Sequence, residues 1–225
     1  MADYNLIGLG VYSVPETARI AHISSGRIRR WLRGYTRDHG TRTSPPVFTS
    51  RLPIFDGHLA LSFLDLIEVR FVDAFRREGV SWGTLRIAHA KARVRVGSDH
   101  PFATGRFKTD GRTILHDVAE EEEDGELLDI VHDQHGFKRL IAPFFRGLQF
   151  EDDSVARWFP DVARRVVLDP RRSFGQPIVA EAGISTRTLA AAVQTEGSVA
   201  KVARWFGINP KDVHAAVRYE QHLAA

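Results

Sequence analysis

The chain has 225 residues, of which 43% are apolar and 26% charged, with a formal net charge of +3 and no cysteine. This composition is typical of globular proteins rather than disordered ones, and the length fits one large or two small domains. The lack of cysteine excludes disulfides and thiolate metal sites and fits a reducing compartment. The apolar runs are too short to span a bilayer, and no basic flank precedes the first of them. We therefore expect a cytoplasmic protein.

Charge is unevenly distributed along the chain. Residues 19–51 contain eight arginines and the single acid Asp38, whereas residues 117–133 contain nine acids and neither lysine nor arginine. A basic block and a distant acidic block indicate two surfaces with different partners. Two solvated faces without partners would give the same pattern, so that alternative stays open here.

Two short helices and a wing are predicted in the N-terminal region. Residues 13–16 form a capping box with a proline in the first turn, which predicts the first helix. Ser24 or Ser25 caps the second, which runs from about residue 26 to residue 34. Residues 41–54 are rich in threonine, serine and proline and are predicted to form an extended wing.

The second of these helices has two chemically different faces. A helical wheel separates its large apolar residues from its arginines, with Ile28, Trp31 and Leu32 opposite Arg29, Arg30 and Arg33. Such a helix can pack on a core and present positive charge. Arginine suits a DNA groove because it pairs with phosphates and can bind the two acceptors of guanine.

Further elements follow from capping and turn signals. Residues 62–65 form a second capping box that opens a helix to about Glu78, and Ser81 starts another to about Val94. The Asp110-Gly111 pair predicts a β-hairpin across Phe107–Leu115. The acidic stretch is expected to be a loop.

The C-terminal third also contains a regular series of predicted elements. After a helix near residues 137–147, a short extended part near residues 164–169 leads into a rigid loop, Asp169–Pro177. Three short helices are then predicted at about residues 185–195, 198–206 and 210–222.

The N-terminal region resembles the MerR family of regulators. The resemblance rests on Tyr12–Ala21 and Ser25–Trp31 for the helix-turn-helix, and on residues 62–94 for a second helix pair. It implies that the second helix enters the major groove, with Arg29 and Arg30 placed to contact DNA, and that the wing touches the backbone. The chain departs from that family in its long, proline-containing wing and in lacking a long dimerisation helix after residue 95. The candidate DNA contacts are Arg27, Arg29, Arg30, Arg33, Arg37 and Arg51.

The C-terminal region resembles the small trihelical module of unknown function that is encoded beside PIN-like ribonuclease toxins. The resemblance rests on Val167–Val179, Gly183–Thr186, Ser198–Gly207 and Val213–Tyr219. A MerR-like head joined to this tail resembles antitoxins of the VapB type, and Phe102–Arg112 extends the likeness into the middle of the chain. The candidate toxin contacts are Arg171, Arg172, Phe174 and Arg204.

We therefore expect a mainly α protein with minor β-structure. Residues 1–95 are predicted to form a winged helix-turn-helix, residues 96–163 an α+β segment with the hairpin and the acidic loop, and residues 164–225 a trihelical helix-turn-helix-like module. The resemblance implies a type II antitoxin that is not an enzyme, neutralises a PIN-like ribonuclease toxin and represses its own operon, binding operator DNA as a homodimer. The alternative is a free-standing regulator whose C-terminal half senses a small ligand.

Histidines near the acidic block are the remaining candidates for chemistry. His132 and His135 lie close in sequence to Asp129 and Asp133, and His116 precedes Asp117. Imidazole with carboxylate suits a transition metal. The spacing matches no standard zinc motif, and no P-loop, dinucleotide fingerprint or nucleophile motif is present. We therefore predict neither a metal site, nor a cofactor, nor catalytic residues.

Overall fold

The computed structural model describes residues 6–37, 42–50, 52–54 and 57–224, and only the backbone of residues 35–37 and 42. The described chain is mainly helical, with short strands in two-stranded sheets. No described helix is long and apolar enough to cross a membrane. The helices are α1 (Val14–Ala21), α2 (Ser25–Arg33), α3 (Phe63–Arg77), α4 (Trp82–Val96), α5 (Gly105–Glu121), α6 (Gly125–His132), α7 (Gln134–Phe145), α8 (Thr186–Glu196), α9 (Val199–Phe206) and α10 (Pro210–Ala224). The strands are β1 (Tyr12–Ser13), β2 (Tyr35–Arg37), β3 (Arg42–Ser44), β4 (Ala60–Leu61), β5 (Leu148–Glu151), β6 (Ser154–Trp158), β7 (Val166–Val167) and β8 (Ile178–Val179).

The chain divides into two compact units. The larger unit comprises Ser13–Phe145 and Phe150–Val155. The smaller unit comprises the described part of Met1–Tyr12 together with Arg146–Gln149 and Ala156–Ala225. The boundary that the sequence suggested between residues 95 and 96 lies inside the larger unit, so α1–α4 and α5–α7 belong to one packed body.

The first four helices begin where their capping signals predict, which confirms those predictions. The Ser13 and Ser62 side chains accept from the N3 amides of α1 and α3, and Glu16 and Asp65 complete both capping boxes by accepting from the N-cap amides. The Ser24 and Ser81 side chains cap α2 and α4 in the same way, without the reciprocal acid. Each cap satisfies backbone donors that the first turn of a helix leaves unpaired.

An aromatic cluster forms the core of the larger unit. The Phe71 side chain is 2% exposed, and five phenylalanine rings surround it at centroid distances of 4.6–6.3 Å. These rings come from α3, α5, α7 and the 3₁₀ helix Pro101–Ala103, so α3 shares its core with elements far along the chain. The five rings belong to Phe75, Phe102, Phe107, Phe144 and Phe145.

The β-hairpin predicted across residues 107–115 is wrong, because these residues lie inside α5. The Thr104 side chain caps this helix by accepting from the Phe107 amide at 3.1 Å. Gly111 is a packing residue rather than a turn residue: a Cβ added there would lie 3.0 Å from the Phe107 ring. Burial of an apolar helix face that includes Ile114, Leu115 and Val118 thus outweighs the local preference of the Asp-Gly pair for a turn.

The acidic loop expected at residues 117–133 is also wrong, because most of this stretch is helical. It forms the end of α5 and all of α6, whose buried residues are Leu127 and Val131. Two of its acids pair with the basic face of α4: Arg95 Nη1 lies 2.8 Å from Asp117 Oδ2, and Lys91 contacts Glu121. The stretch is therefore a packed helical element with an acidic outer face.

The smaller unit contains the three C-terminal helices that the sequence predicted, which confirms α8, α9 and α10. They enclose an apolar core to which each helix and β8 contribute. The antiparallel pair of β7 and β8, with Val166 opposite Val179 and Val167 opposite Ile178, precedes them. The core residues are Val179, Leu189, Val202, Ala203, Val213 and Ala216.

Candidate functional site

Helix α2 shows the two faces that the helical wheel predicts. Its apolar face is buried, with Ile28 0%, Trp31 1% and Leu32 4% exposed. The arginines of the opposite face are exposed. The helix therefore presents a positively charged surface from a fixed position rather than from a flexible segment. The exposed residues of this arginine face are Arg29, Arg30 and Arg33.

Contacts of Trp31 fix α2 on the larger unit. Its ring lies 5.7 Å from the Trp82 ring of α4, and its backbone carbonyl accepts from the Val47 amide at 2.9 Å. The Arg76 guanidinium of α3 lies over the Trp82 ring at 4.8 Å. Both later helices thus help to orient the arginine face.

The arginines on and near α2 differ in whether a carboxylate pairs with them. Arg27 Nη1 lies 3.5 Å from Asp73, a buried acid that also pairs with Arg77 at 2.7 Å. Within the described part of the chain, no carboxylate lies within ion-pair distance of the arginine face. Unpaired guanidiniums remain available to an anionic partner, whereas Arg27 is partly neutralised.

Two members of the arginine face flank a small cavity. Arg29 and Arg33 are one helical turn apart and line a cavity of about 310 Å³ together with the start of α1, His58 and Leu59. Arg30 projects separately, and its Nε donates to the Gly26 carbonyl at 3.4 Å. The predicted DNA residue Arg51 and the side chain of Arg37 lie outside the described residues.

A two-stranded ribbon follows α2 directly. Strands β2 and β3 pair antiparallel, with Tyr35 opposite Ser44 and Arg37 opposite Arg42. Gly34, with φ +73°, connects α2 to the ribbon, and a Cβ there would lie 2.2 Å from the Ser44 carbonyl oxygen. Arg86 of α4 donates to the Ser44 hydroxyl at 2.8 Å, which ties the ribbon to the helical body.

A buried carboxylate–histidine pair stabilises the start of α3, and the sequence analysis missed it. Asp65 Oδ1 lies 2.9 Å from His100 Nε2, while Oδ2 accepts from the Ser62 amide and the Ser50 hydroxyl at 2.7 Å each. Burial opposes ionisation of Asp65, but His100 and the two donors outweigh it, so the pKa of this carboxyl lies below its usual value. The capping-box signal identified Asp65 but could not reveal a partner 35 residues away.

A second buried acid on α3 holds the 3₁₀ helix. Glu68 Oε1 accepts from the amides of Phe102 at 2.8 Å and Ala103 at 3.3 Å, and Oε2 lies 3.4 Å from His89 Nε2. His89 and His100 also line a cavity of about 760 Å³ between α4 and residues 46–49. This is an ordered concave surface close to two buried carboxylate–histidine contacts.

The rigid loop of the smaller unit presents one of its predicted contact residues freely. The Phe174 ring is 64% exposed although its backbone, at φ +52°, is in the left-handed region. The Tyr12 hydroxyl donates to the Gly175 carbonyl at 2.5 Å, and the Val11 amide donates to the Phe174 carbonyl at 3.0 Å. The loop therefore holds an exposed aromatic ring in a strained conformation, a feature common at functional sites.

The two arginines of this loop have different surroundings. Arg172 is half-buried, and its Nη1 donates to the Ala180 carbonyl at 2.8 Å. Arg171 is exposed, with its Nε 3.7 Å from Asp169. Arg172 therefore supports the loop, whereas Arg171 can reach a partner.

Helix α9 presents an exposed aromatic pair. The Trp205 side chain is 64% exposed, and Phe206 beside it is partly exposed. Arg204 is exposed next to them. The buried positions of α9 are Val202 and Ala203, about one turn earlier.

Comparisons with known proteins find similarity to a named relative and to a solved crystal structure, both from Mycobacterium tuberculosis. Residues 166–219 match a family model described as "Protein of unknown function (DUF433)". The relative named "Putative antitoxin VapB45", from strain ATCC 25618 / H37Rv, is 26% identical and the match covers 92% of each chain. The crystal structure of Rv2018 from Mycobacterium tuberculosis superposes with a TM-score of 0.73 at 24% identity, covering 92% of this chain and 96% of that chain. The structural likeness shows a shared fold along nearly the whole chain.

Proposed function

We propose that the protein is the antitoxin of a type II toxin–antitoxin pair, which acts by binding rather than by catalysis. It neutralises a PIN-like ribonuclease toxin by direct contact and represses its own operon by binding operator DNA. The similarity to a relative named as an antitoxin, extending over 92% of both chains, supports this assignment. The observation that carries the DNA-binding part is the exposed and unpaired arginine face of α2 opposite a fully buried apolar face.

In this proposal α2 is the recognition helix of a MerR-like winged helix-turn-helix. Helix α1 crosses the DNA backbone, α2 enters the major groove, and the β2–β3 ribbon is the wing. Arg29, Arg30 and Arg33 contact bases or phosphates, while Arg27 contributes less because Asp73 already pairs with it. Arg37 and Arg51 extend the contact along the backbone.

The DNA-binding part is tested with the full-length chain and the DNA upstream of its own gene. The triple variant Arg29→Ala, Arg30→Ala, Arg33→Ala should lose operator affinity while remaining folded, since all three side chains are exposed. Each phosphate contact that is lost should reduce the slope of log affinity against log salt by about 0.9, whereas a lost base contact should cost about 1–3 kcal/mol and relax specificity at one position.

The control for this experiment is Arg139→Ala. Arg139 is an exposed arginine of α7 in the same unit, 3.7 Å from Asp133, and its removal matches the charge change of one of the three α2 substitutions without touching α2. Unchanged affinity of the triple variant, or an equal loss in the control, would contradict the assignment of α2.

We propose that the smaller unit binds the toxin. Its exposed residues combine aromatic rings with guanidiniums, the side chains that most often dominate protein interfaces. The resemblance implies a toxin with clustered carboxylates and a divalent metal, towards which an arginine would be attracted. Arg171, Phe174 and Arg204 are the proposed contacts, and Arg172 supports the loop through Ala180.

Ribonuclease inhibition by the full-length chain tests this part. Alanine at Arg171, Phe174 or Arg204 should weaken inhibition of the toxin encoded beside this gene. Arg187→Ala, an exposed arginine on α8, should leave inhibition unchanged. Full inhibition by the three contact variants together would place the toxin surface elsewhere.

We further propose that two chains bind one operator, because one recognition helix of nine residues reads few base pairs. Sedimentation of the protein with an operator duplex should show two chains per duplex. One chain per duplex at saturation would contradict this proposal.

A second candidate function is a free-standing regulator that senses a small ligand. The cavity of about 760 Å³ beside α4 favours it, although this cavity lies in the larger unit rather than in the C-terminal half. Isolation of the protein from its native host separates the two functions. A stoichiometric small ribonuclease supports the antitoxin, and a bound metabolite supports the sensor.

A further inference from the structure

Two histidines that are distant in sequence meet on the surface of the larger unit. His116 of α5 and His132 of α6 lie 16 positions apart, and their Nε2 atoms are 3.3 Å from each other. The rings are tilted by 48° with centroids 5.2 Å apart, so they meet at their nitrogen edges rather than by stacking. Because the ligands come from two packed helices, no local sequence motif could reveal them.

The separation of the two nitrogens fits joint coordination of one metal ion. Zinc–imidazole bonds of about 2.0–2.1 Å in tetrahedral geometry place two ligand nitrogens about 3.3–3.4 Å apart. A hydrogen bond usually brings its heavy atoms closer, to about 2.9–3.0 Å. The observed 3.3 Å is therefore long for a hydrogen bond and typical of a ligand pair.

The other nitrogen of His116 has an acidic neighbour. Glu120 Oε2 lies 3.6 Å from His116 Nδ1, one helical turn away. A carboxylate that hydrogen-bonds to the far nitrogen of a ligating histidine fixes the tautomer that leaves Nε2 free to bind metal. Glu120 lies just beyond hydrogen-bond distance of His116 Nδ1, so it contributes negative charge beside the ring rather than such a bond.

The acidic residues around the two histidines favour a cation. Residues 117–133 contain nine acids and neither lysine nor arginine, and the structure places five of these acids on the same two helices and the other four in the turns directly after them. Among the described residues, no group of three or more histidines and acids is arranged to hold a metal ion. The described chain thus offers two imidazole nitrogens at this place, and water would complete the coordination shell of a bound metal.

We propose that His116 and His132 form a surface site for a divalent transition metal of the Zn²⁺, Ni²⁺ or Cu²⁺ class, which clips α5 to α6. These metals prefer imidazole, whereas Mg²⁺ and Ca²⁺ prefer oxygen ligands. The site does not depend on the proposed antitoxin function, because it involves neither α2 nor the smaller unit.

Calorimetric titration of the full-length chain without an affinity tag tests the site. ZnCl₂ and NiCl₂ should each bind at one site per chain, and MgCl₂ at the same concentration should not compete. His116→Asn and His132→Asn should each lower the affinity at least about tenfold, because loss of even a supporting group around a metal has an effect of this size. The matched control is His135→Asn, an exposed histidine at the start of α7, which should bind like the parent chain.

Thermal unfolding gives a second readout on the same proteins. Free Zn²⁺ at about five times its dissociation constant should raise the Tm of the parent chain by about 2–4 °C and leave both histidine variants unchanged. Zinc-dependent shifts of two histidine ring ¹⁵N resonances in the parent chain would identify the ligands without any substitution. The proposal is overturned if neither Zn²⁺ nor Ni²⁺ binds, if the double variant binds them equally well, or if Mg²⁺ displaces them.

Discussion

We predict that residues 1–95 do not fold stably when the chain is cut after residue 95. The cut removes the 3₁₀ helix, α5 and α7, which provide most of the rings around Phe71. Four of its five aromatic neighbours are lost, and only Phe75 of α3 remains. A fragment that spans residues 13–155 keeps all of them, so it should fold cooperatively.

The magnitude follows from the ring contacts. An aromatic pair contributes about 0.5–1.5 kcal/mol beyond its burial, and exposure of the Phe71 ring costs about 1.5–3 kcal/mol more. For four lost pairs the total is about 4–9 kcal/mol, which is comparable with the whole stability of a typical domain, about 5–15 kcal/mol. The shorter fragment therefore lacks the free energy to remain folded.

Circular dichroism during thermal and urea unfolding measures this difference. The 1–95 fragment should show no cooperative transition, and in the full chain Phe71→Ala should lower stability by about 3–5 kcal/mol. Phe174→Ala is the matched control, because it removes an exposed ring and should change stability by less than about 0.5 kcal/mol. A cooperative transition of the 1–95 fragment within a few degrees of the full chain would refute the argument.

Three further substitutions test individual contacts. Asp65→Asn should cost about 1–3 kcal/mol at pH 7, because an amide nitrogen replaces one of the two oxygens that accept from Ser62, Ser50 and His100 and so leaves a buried donor unpaired. Because the pKa of Asp65 is lowered in the folded state, the parent chain should also lose the charge-dependent part of its stability as the pH falls below about 3.8, and the variant should not show that loss. Gly34→Ala should destabilise the ribbon after α2 by more than about 1 kcal/mol, because its Cβ would clash with the Ser44 carbonyl. Slower proteolysis of the variant than of the parent chain between residues 35 and 44 would contradict this prediction. Arg172→Ala should lower the Tm because the hydrogen bond to the Ala180 carbonyl is lost, and each kcal/mol of lost stability should lower the Tm by about 2–4 °C. An unchanged Tm would contradict the structural role assigned to Arg172.

The parts of the fold that could be predicted are those with local causes. Helix starts depend on a serine side chain and an amide two or three residues later, so Ser13, Ser24, Ser62 and Ser81 were sufficient to locate four helices. The two faces of α2 follow from helical periodicity in the same way. In each case the residues that determine the feature lie within one or two turns of it.

The errors and omissions have non-local causes. Residues 107–115 contain a turn signal, yet burial of the Phe107 ring beside Phe71 and Phe102 outweighs it. The partners of Asp65 and His116 lie 35 and 16 positions away, and only the packing of helices brings them together. Sequence spacing alone cannot predict such pairs unless the path of the chain between the two residues is already known.

The orientation of the arginine face depends on the same non-local core, and this determines how DNA-binding data on variants should be interpreted. Trp31 packs on Trp82 of α4, and Arg27 pairs with Asp73 of α3, so α2 keeps its position only while the larger unit is folded. A core variant such as Phe71→Ala lowers the measured affinity through the fraction of folded protein, and the remaining folded chains keep every phosphate contact. Its salt slope should then equal that of the parent chain, whereas substitution of a phosphate-contacting arginine reduces the slope by about 0.9 per contact. Salt dependence, rather than affinity alone, therefore separates residues that touch DNA from residues that hold α2 in place.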